Sequence, residues 1–138
     1  MKTYLICPVR GHDPKETEGV VKRLEAKGFE VHWPPRDVNQ KDDDSGGYRV
    51  LSEHKEAMID CDCVHVIWDG KSEGCLFDLG MAFAMKKKIV VISLPPTTAG
   101  KSFQNMVRYW EKQSKKIKTE TFDEAKIKVL ERRRGVNR

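Results

Sequence analysis

The sequence predicts an α/β protein: a doubly wound, mainly parallel sheet of four to five strands with helices on both faces. Two observations carry this reading. Short apolar runs alternate with segments of helical periodicity along the chain, and the runs at 63–68 and 88–94 are apolar on consecutive residues, as strands covered on both sides are. At 138 residues there is room for one domain with one buried core, expected to span 1–138 with a basic C-terminal helix and tail over 120–138.

Thr3 to Cys7 is an apolar run stopped by Pro8, and forms the first strand. A helix follows from Pro14 to Lys27. Asp13 is its N-cap, Pro14 suits the first helical position, Val20, Val21 and Leu24 give one apolar stripe, and Gly28 ends it. Phe29 to Trp33 is the second strand, closed by Pro34-Pro35, and Arg36 to Gly47, with its Asp42-Asp43-Asp44-Ser45-Gly46-Gly47 run, is an exposed loop. Tyr48 to Ile59 reads as a helix, Cys63 to Trp68 as a buried strand, Ser72 to Lys87 as a helix and Lys88 to Leu94 as a strand stopped by Pro95-Pro96. Ser102 to Lys115 is a further helix, Ile117 to Thr119 a short edge strand and Phe122 to Arg133 a last helix. The arrangement is three-layered and flavodoxin-like. In such sheets ligands bind beyond the carboxyl ends of the strands, which directs attention to the loops after Cys7, Trp33, Trp68 and Leu94.

Composition narrows the function classes. Apolar residues make up 38% of the chain and charged ones 34%, which is polar for a globular domain yet far from a disordered composition. No stretch of about 18 apolar residues could span a bilayer. Met1-Lys2-Thr3-Tyr4 runs straight into a strand without the layout of a signal peptide, so a cytoplasmic protein is expected, with no membrane partner. Cys7, Cys61, Cys63 and Cys75 form no CxxC pair and no zinc-like spacing, and are expected to be reduced thiols; no metal and no cofactor is expected. Residues 1–100 carry 14 basic and 16 acidic side chains, whereas residues 101–138 carry 12 and 5. The basic end lacks interleaved aromatics or a nucleic-acid motif, so a solvated helix face is expected rather than a nucleic-acid surface.

One charge is out of place. From Gly74 to Met85 every residue is apolar or glycine except Asp78, and an all-round apolar helix is expected to be buried. Gly74, Met81, Ala82 and Met85 share its side of the helix, and none can pair with a carboxylate. Burying that carboxylate unpaired costs several kcal/mol, at least about 3. Asp78 therefore either meets a backbone amide or an arginine from elsewhere, Arg10 being one, or faces a cleft and awaits a substrate. The preceding turn, Asp69-Gly70-Lys71-Ser72-Glu73-Gly74, offers Ser72 as an N-cap and Gly74 as an open helix mouth, where free amides attract anions. It matches neither the Walker loop nor the dinucleotide glycine fingerprint.

The run Asp62-Cys63-Val64-His65-Val66-Ile67-Trp68, followed by Ser72-Glu73-Gly74-Cys75-Leu76-Phe77-Asp78-Leu79-Gly80-Met81-Ala82, resembles the nucleoside 2-deoxyribosyltransferase-like family, which includes deoxyribosyltransferases and 5′-monophosphate N-glycosidases. The shared pattern is an Asp before an apolar strand, then Ser-x-Gly, then a carboxylate followed by hydrophobic-Gly-x-Ala. Tyr4-Leu5-Ile6-Cys7-Pro8-Val9-Arg10-Gly11 resembles the family's first strand and phosphate-side loop, so the likeness covers residues 3–93. It implies that Asp78 is the catalytic carboxylate, attacking or stabilising the anomeric carbon. It further implies that Ser72 and Gly74 hold the sugar-phosphate end, that Pro8, Val9, Arg10 and Gly11 line the pocket, and that Met81 lies beside it.

Two departures stand out. The family's carboxylate is usually Glu, one methylene longer than Asp78, and productive geometry tolerates only about half an ångström. His54 occupies the place of an Asp that positions substrate, and a histidine there can act as an acid or orient a hydroxyl. His12 lies beside Arg10 in the first loop, and His32 and His65 fall within strands. The expected function is an N-glycosidase or glycosyl transferase acting on a nucleoside or nucleoside 5′-monophosphate, with Asp78 and His54 as its catalytic pair. The alternative is a non-catalytic nucleotide-binding sensor on the same fold. The resemblance also implies a homodimer or larger homo-oligomer, for which the helix with Phe103, Met106, Tyr109 and Trp110 is a candidate face, unless those residues pack on the sheet.

Overall fold

Four of the apolar runs pair into one parallel sheet in the order β2-β1-β3-β4. The computed structural model describes residues 1–9, 13–115 and 129–135. Its elements are β1 (Lys2–Ile6), α1 (Pro14–Ala26), β2 (Glu30–His32), α2 (Pro34–Asp37), α3 (Tyr48–Asp60), β3 (Cys63–Ile67), α4 (Glu73–Ala84), β4 (Lys88–Ser93) and α5 (Phe103–Ser114). The fold is the expected doubly wound α/β sheet with helices on both faces.

The two-residue period of the strands sorts their side chains into two cores. Tyr4 lies opposite His32 and Val64 in the register, and with Ile6, Val66 and Ile89 it packs against α3, α4 and α5 through Met58, Leu79, Ala82, Val107 and Trp110. Leu5 and Val31 point the other way, onto Val20, Val21 and Leu24 of α1. Tyr4, Leu5, Ile6, Val64 and Val66 are fully buried, each apolar side chain contributing about 1.5–3 kcal/mol.

Helix starts follow the predicted chemistry. The Asp13 carboxylate accepts the Lys15 N–H at 2.9 Å, with Pro14 in the first turn. At the start of α3, Gly47 adopts a left-handed φ of 102° and offers no capping side chain. The Asp42 carboxylate substitutes for it, accepting the N–H groups of Gly47 and Arg49 at 3.1 Å each.

Three expectations are corrected. Pro34-Pro35 closes β2 but also opens a one-turn helix, α2, because prolines lack only donors that a first helical turn leaves unpaired. Helix α4 is not buried all round: Phe77 and Phe83 are 55% and 56% exposed. It lies on one face of the sheet, so only the Cys75, Asp78, Leu79 and Ala82 side is enclosed. Strand β4, read as covered on both faces, leaves Val90 and Ile92 partly exposed, because it is an edge strand among the described residues. Its free edge is sealed by α5 side chains: Ser114 Oγ accepts the Ile89 N–H at 3.1 Å, and Glu111 Oε2 accepts that of Val91 at 2.5 Å. The predicted strand at Ile117 to Thr119 and most of the helix at Phe122 to Arg133 lie outside the described residues. Within α5, Val107 and Trp110 pack on the sheet while Phe103, Met106 and Tyr109 stay exposed.

One buried cation holds the α3–β3 junction. Lys87 donates through Nζ to the Ile59 carbonyl at 3.2 Å and to the Cys61 carbonyl, occupying acceptors that the end of α3 leaves free. Burial pushes its ammonium pKa down. Lys87→Met keeps the stem and removes both donors, so urea unfolding is expected to show a loss of about 1–3 kcal/mol.

Candidate active site

The winding of the sheet reverses between β1 and β3: the chain passes from β1 outward to β2, and from β3 outward to β4. That is where such sheets open a ligand crevice. The turn from β3 into α4 is built around Asp69, whose Oδ1 accepts the N–H groups of Lys71 at 2.9 Å and Ser72 at 2.8 Å. Gly70 has a left-handed φ of 81°, and a Cβ there would stand 3.0 Å from Pro95 Cγ, so the turn requires glycine. Ser72 caps α4, its Oγ accepting the Cys75 N–H at 3.3 Å, and its backbone carbonyl takes the Trp68 indole N–H at 3.1 Å. Both its side chain and its backbone carbonyl are thus engaged. Gly74 is exposed, and a Cβ there would meet only Ser72 Oγ, at 3.9 Å. The protein's own packing gives no reason for glycine at 74; the helix mouth is simply open.

Asp78 sits one turn further in, 7% exposed, with both carboxylate oxygens engaged. The Tyr4 hydroxyl donates to Oδ2 at 3.0 Å, and His54 Nδ1 lies 3.4 Å from Oδ1. Each partner arrives by pattern. Tyr4 is on the face of β1 that α4 covers, and His54 shares the buried stripe of α3 with Val50 and Met58 at helical spacing. An ionised carboxylate only accepts, so in this contact Nδ1 presents its proton to Asp78. Nε2 is buried and has no hydrogen-bond partner among the described residues. The Tyr4 ring completes the cluster, stacked on His32 at 5.1 Å and edge-on to His54 at 6.1 Å.

Electrostatics follow from this enclosure. The Tyr4 phenol is held protonated far above its ordinary range, first by burial and then by the Asp78 charge and hydrogen bond. Burial also raises the neighbouring thiols, Cys7 to about 11 and Cys75 to about 12. All four cysteines are buried and free. His32 is pushed down by desolvation. Among the described residues no group of three or more His, Cys, Asp or Glu side chains could hold a metal ion, and no helix is long and apolar enough to cross a membrane.

The structure thus brings Asp78 and His54 together and places Ser72 and Gly74 at the mouth of the same helix. Pro8 is buried, Val9 is 41% exposed, and Met81 is half-buried on α4. Arg10, Gly11 and His12 lie outside the described residues, so Arg10 is not seen as the partner of Asp78. Tyr4 and His54 fill that role instead. Sequence reasoning gave Tyr4 no role. The signal was there: strand alternation puts Lys2, Tyr4 and Ile6 on the side that α4 covers, and of these Tyr4 is the one buried side chain with a polar tip. A separate cleft of about 300 Å³, lined by Lys2, Glu25, His32, Arg36, Asp60 and Cys61 among others, contains none of the predicted site residues.

Compared with sequence models of protein families, residues 3–126 match that of nucleoside 2-deoxyribosyltransferase. The chain belongs to this family. Comparison with curated proteins finds no match. Solved structures give the same fold. The 2-deoxyribosyltransferase of the psychrotolerant bacterium Bacillus psychrosaccharolyticus superposes with a TM-score of 0.60 over 72% of this chain and 77% of that one, at 19% identity. The CMP N-glycosidase of Clostridium botulinum does so with a TM-score of 0.53 over 81% of each chain, at 20% identity. Asp78 and His54, the two positions at which the resemblance implied departures from the family pattern, lie in contact at 3.4 Å.

Tyr4→Phe leaves one buried oxygen of Asp78 without its donor, and chemical denaturation is expected to show a loss of about 1.5–3 kcal/mol. The wild type carries the complementary pH signature. Folded Tyr4 keeps its proton while the unfolded side chain releases it near 10.0, so the folded state binds more protons above that pH. Stability is therefore present below pH 10 and falls as pH rises beyond it. Tyr4→Phe should flatten this decline in alkaline denaturation curves.

Proposed function

We propose that this protein cleaves or transfers the N-glycosidic bond of a nucleoside or nucleoside 5′-monophosphate, with Asp78 facing the anomeric carbon. The observation that carries this reading is the carboxylate itself. It is held by Tyr4 and His54 where the winding of the sheet reverses between β1 and β3, one turn inside a helix mouth suited to an anion. Family membership supports the same reaction class. As the base departs, positive charge grows on the sugar, and a carboxylate fixed in a poorly solvated site stabilises it without reorganising. Neither partner cancels that charge outright, since the Tyr4 phenol is a neutral donor and the imidazole is cationic only when protonated. Ser72 and the amides beside Gly74 hold the sugar-phosphate end. The family resemblance supports Pro8, Val9 and Met81 as further substrate-binding residues, together with Arg10 and Gly11, which lie outside the described residues.

A second reading has its own observation. Asp78 is 7% exposed and both of its oxygens have partners, which also suits a nucleotide-binding module that has lost the chemistry.

Release of free base is to be measured over a panel of ribo- and deoxyribonucleosides and their 5′-monophosphates, with and without an acceptor base. Turnover is expected for at least one member, reduced at least about 100-fold in Asp78→Ala and Asp78→Asn. Binding of a panel member by calorimetry without any base release would establish the sensor reading instead.

A further inference from the structure

We infer that His32 is a positioning residue for Tyr4, supporting the phenol against Asp78 only while its own imidazole is uncharged, so that mild acid loosens the site from behind. The glycosidic reading above enters only through the effect on turnover; the coupling of His32 to Tyr4 is a property of the fold alone.

Register puts the two rings together. Tyr4 is paired with His32 across the parallel ladder of β1 and β2, so both side chains stand on the same face of the sheet. Their rings stack at 5.1 Å with 29° between the planes, while the Tyr4 hydroxyl reaches Asp78 Oδ2 at 3.0 Å. The phenol is thus held at its tip by a hydrogen bond and along its face by an imidazole, with His54 touching it edge-on. Strand β2 is an edge strand, so among the described residues no further strand backs His32. Instead His32 is half-buried and lines the cleft of about 300 Å³. The ring that supports Tyr4 therefore borders a cleft larger than itself.

Charge decides whether it stays there. His32 Nε2 is buried and has no hydrogen-bond partner among the described residues. In a neutral imidazole that nitrogen can be the bare one, whereas an imidazolium carries an N–H on both. Protonation thus places a charged donor where nothing accepts it, the costly kind of orphan. The charged and titratable groups around the ring are Tyr4 from β1, Arg36 and Asp37 from α2, His54 from α3 and Asp78 from α4, with Lys2, Glu25, Glu30 and Asp60 further round the cleft. Burial opposes the charge most, His54 and Arg36 oppose it as well, and Asp37 and Asp78 favour it; the balance keeps the imidazole pKa below its ordinary value of 6.5. Relief lies toward the cleft, which offers water and the Asp37 carboxylate, and a ring that turns that way leaves Tyr4. Because the folded arrangement disfavours the proton, that departure belongs to pH values under 6.5.

The test is a pH titration of the full chain by NMR, following the His32 imidazole and the Tyr4 ring. The His32 midpoint is expected below 6.5, with the Tyr4 signals moving at that same midpoint. In His32→Phe, whose ring stacks but takes no proton, that movement of Tyr4 should be gone. Turnover gives a second readout, on whichever nucleoside or 5′-monophosphate releases its base fastest. His32→Ala removes the ring, and is expected to lower kcat about 10-fold or more with KM changed less than about threefold. His32→Phe is expected to restore most of that loss and to lack the fall in rate that accompanies the His32 midpoint. Tyr4 signals that stay still while His32 titrates overturn the inference, as does the same Tyr4 movement in His32→Phe. A folded His32→Ala with kcat within about twofold of wild type overturns it too; if that variant does not fold, the two titrations decide. Each of these results leaves the glycosidic reading standing. A wild type that releases no base from any panel member sinks that reading alone, because the titration settles the coupling of the rings without turnover.

Discussion

The burial of one carboxylate constrains everything around it. Asp78 projects from a helix whose other residues between Gly74 and Met85 are apolar or glycine, so that helix provides no partner of its own. Removing a charged group's partner in such a place costs about 3–5 kcal/mol, a large fraction of what holds a small domain folded. The partners must therefore come from other elements and must be placed accurately. A phenol from β1 and an imidazole from α3 meet the two oxygens from different directions. Three segments far apart in sequence are fixed to one another by this carboxylate as well as by apolar packing.

The parallel sheet makes such a meeting possible. Because β1 and β3 are neighbours, the helix that follows β3 lies over β1 as well, and Tyr4 on the covered face reaches it. Helix α3 enters β3 from the same face, its end held by Lys87, which sets the height at which His54 stands. The tight turn at Gly70 and the cap at Ser72 then set where α4 begins, and hence how deep Asp78 lies. Loop chemistry at the surface and charge placement in the interior are parts of one arrangement.

Much of this was legible in residue order. Alternating runs gave the sheet and its two layers, Asp13 and Ser72 behaved as caps, and the solitary charge of α4 pointed to the site. His54 and Asp78 were chosen from a family pattern, and the geometry adds that they touch. Other features depend on neighbours that periodicity cannot name. The apolar composition of α4 predicted full enclosure, but a helix on one face of a sheet buries only one side, and Phe77 and Phe83 emerge. Pro34-Pro35 reads as a break, yet the same missing donors suit a first helical turn. The role of Tyr4 was invisible because tyrosine in a strand is ordinary core material; only the position of α4 turns its hydroxyl into a ligand for the carboxylate.

The two ends of the α4 approach divide by polarity, as the proposed chemistry requires. At the mouth, Ser72 and Gly74 are partly or fully exposed, where an anionic group can arrive hydrated and exchange water for amides and a hydroxyl. One turn inward the surroundings are apolar, and the same charges interact far more strongly because little water screens them. A protein that needed only to stabilise its fold would do better with a hydrophobic residue at 78, since replacing a buried ion pair by well-packed apolar groups is often neutral or stabilising. Under the proposed function, a carboxylate there, beside a tyrosine and a histidine whose Nε2 has no partner among the described residues, acts on a group that enters from the mouth.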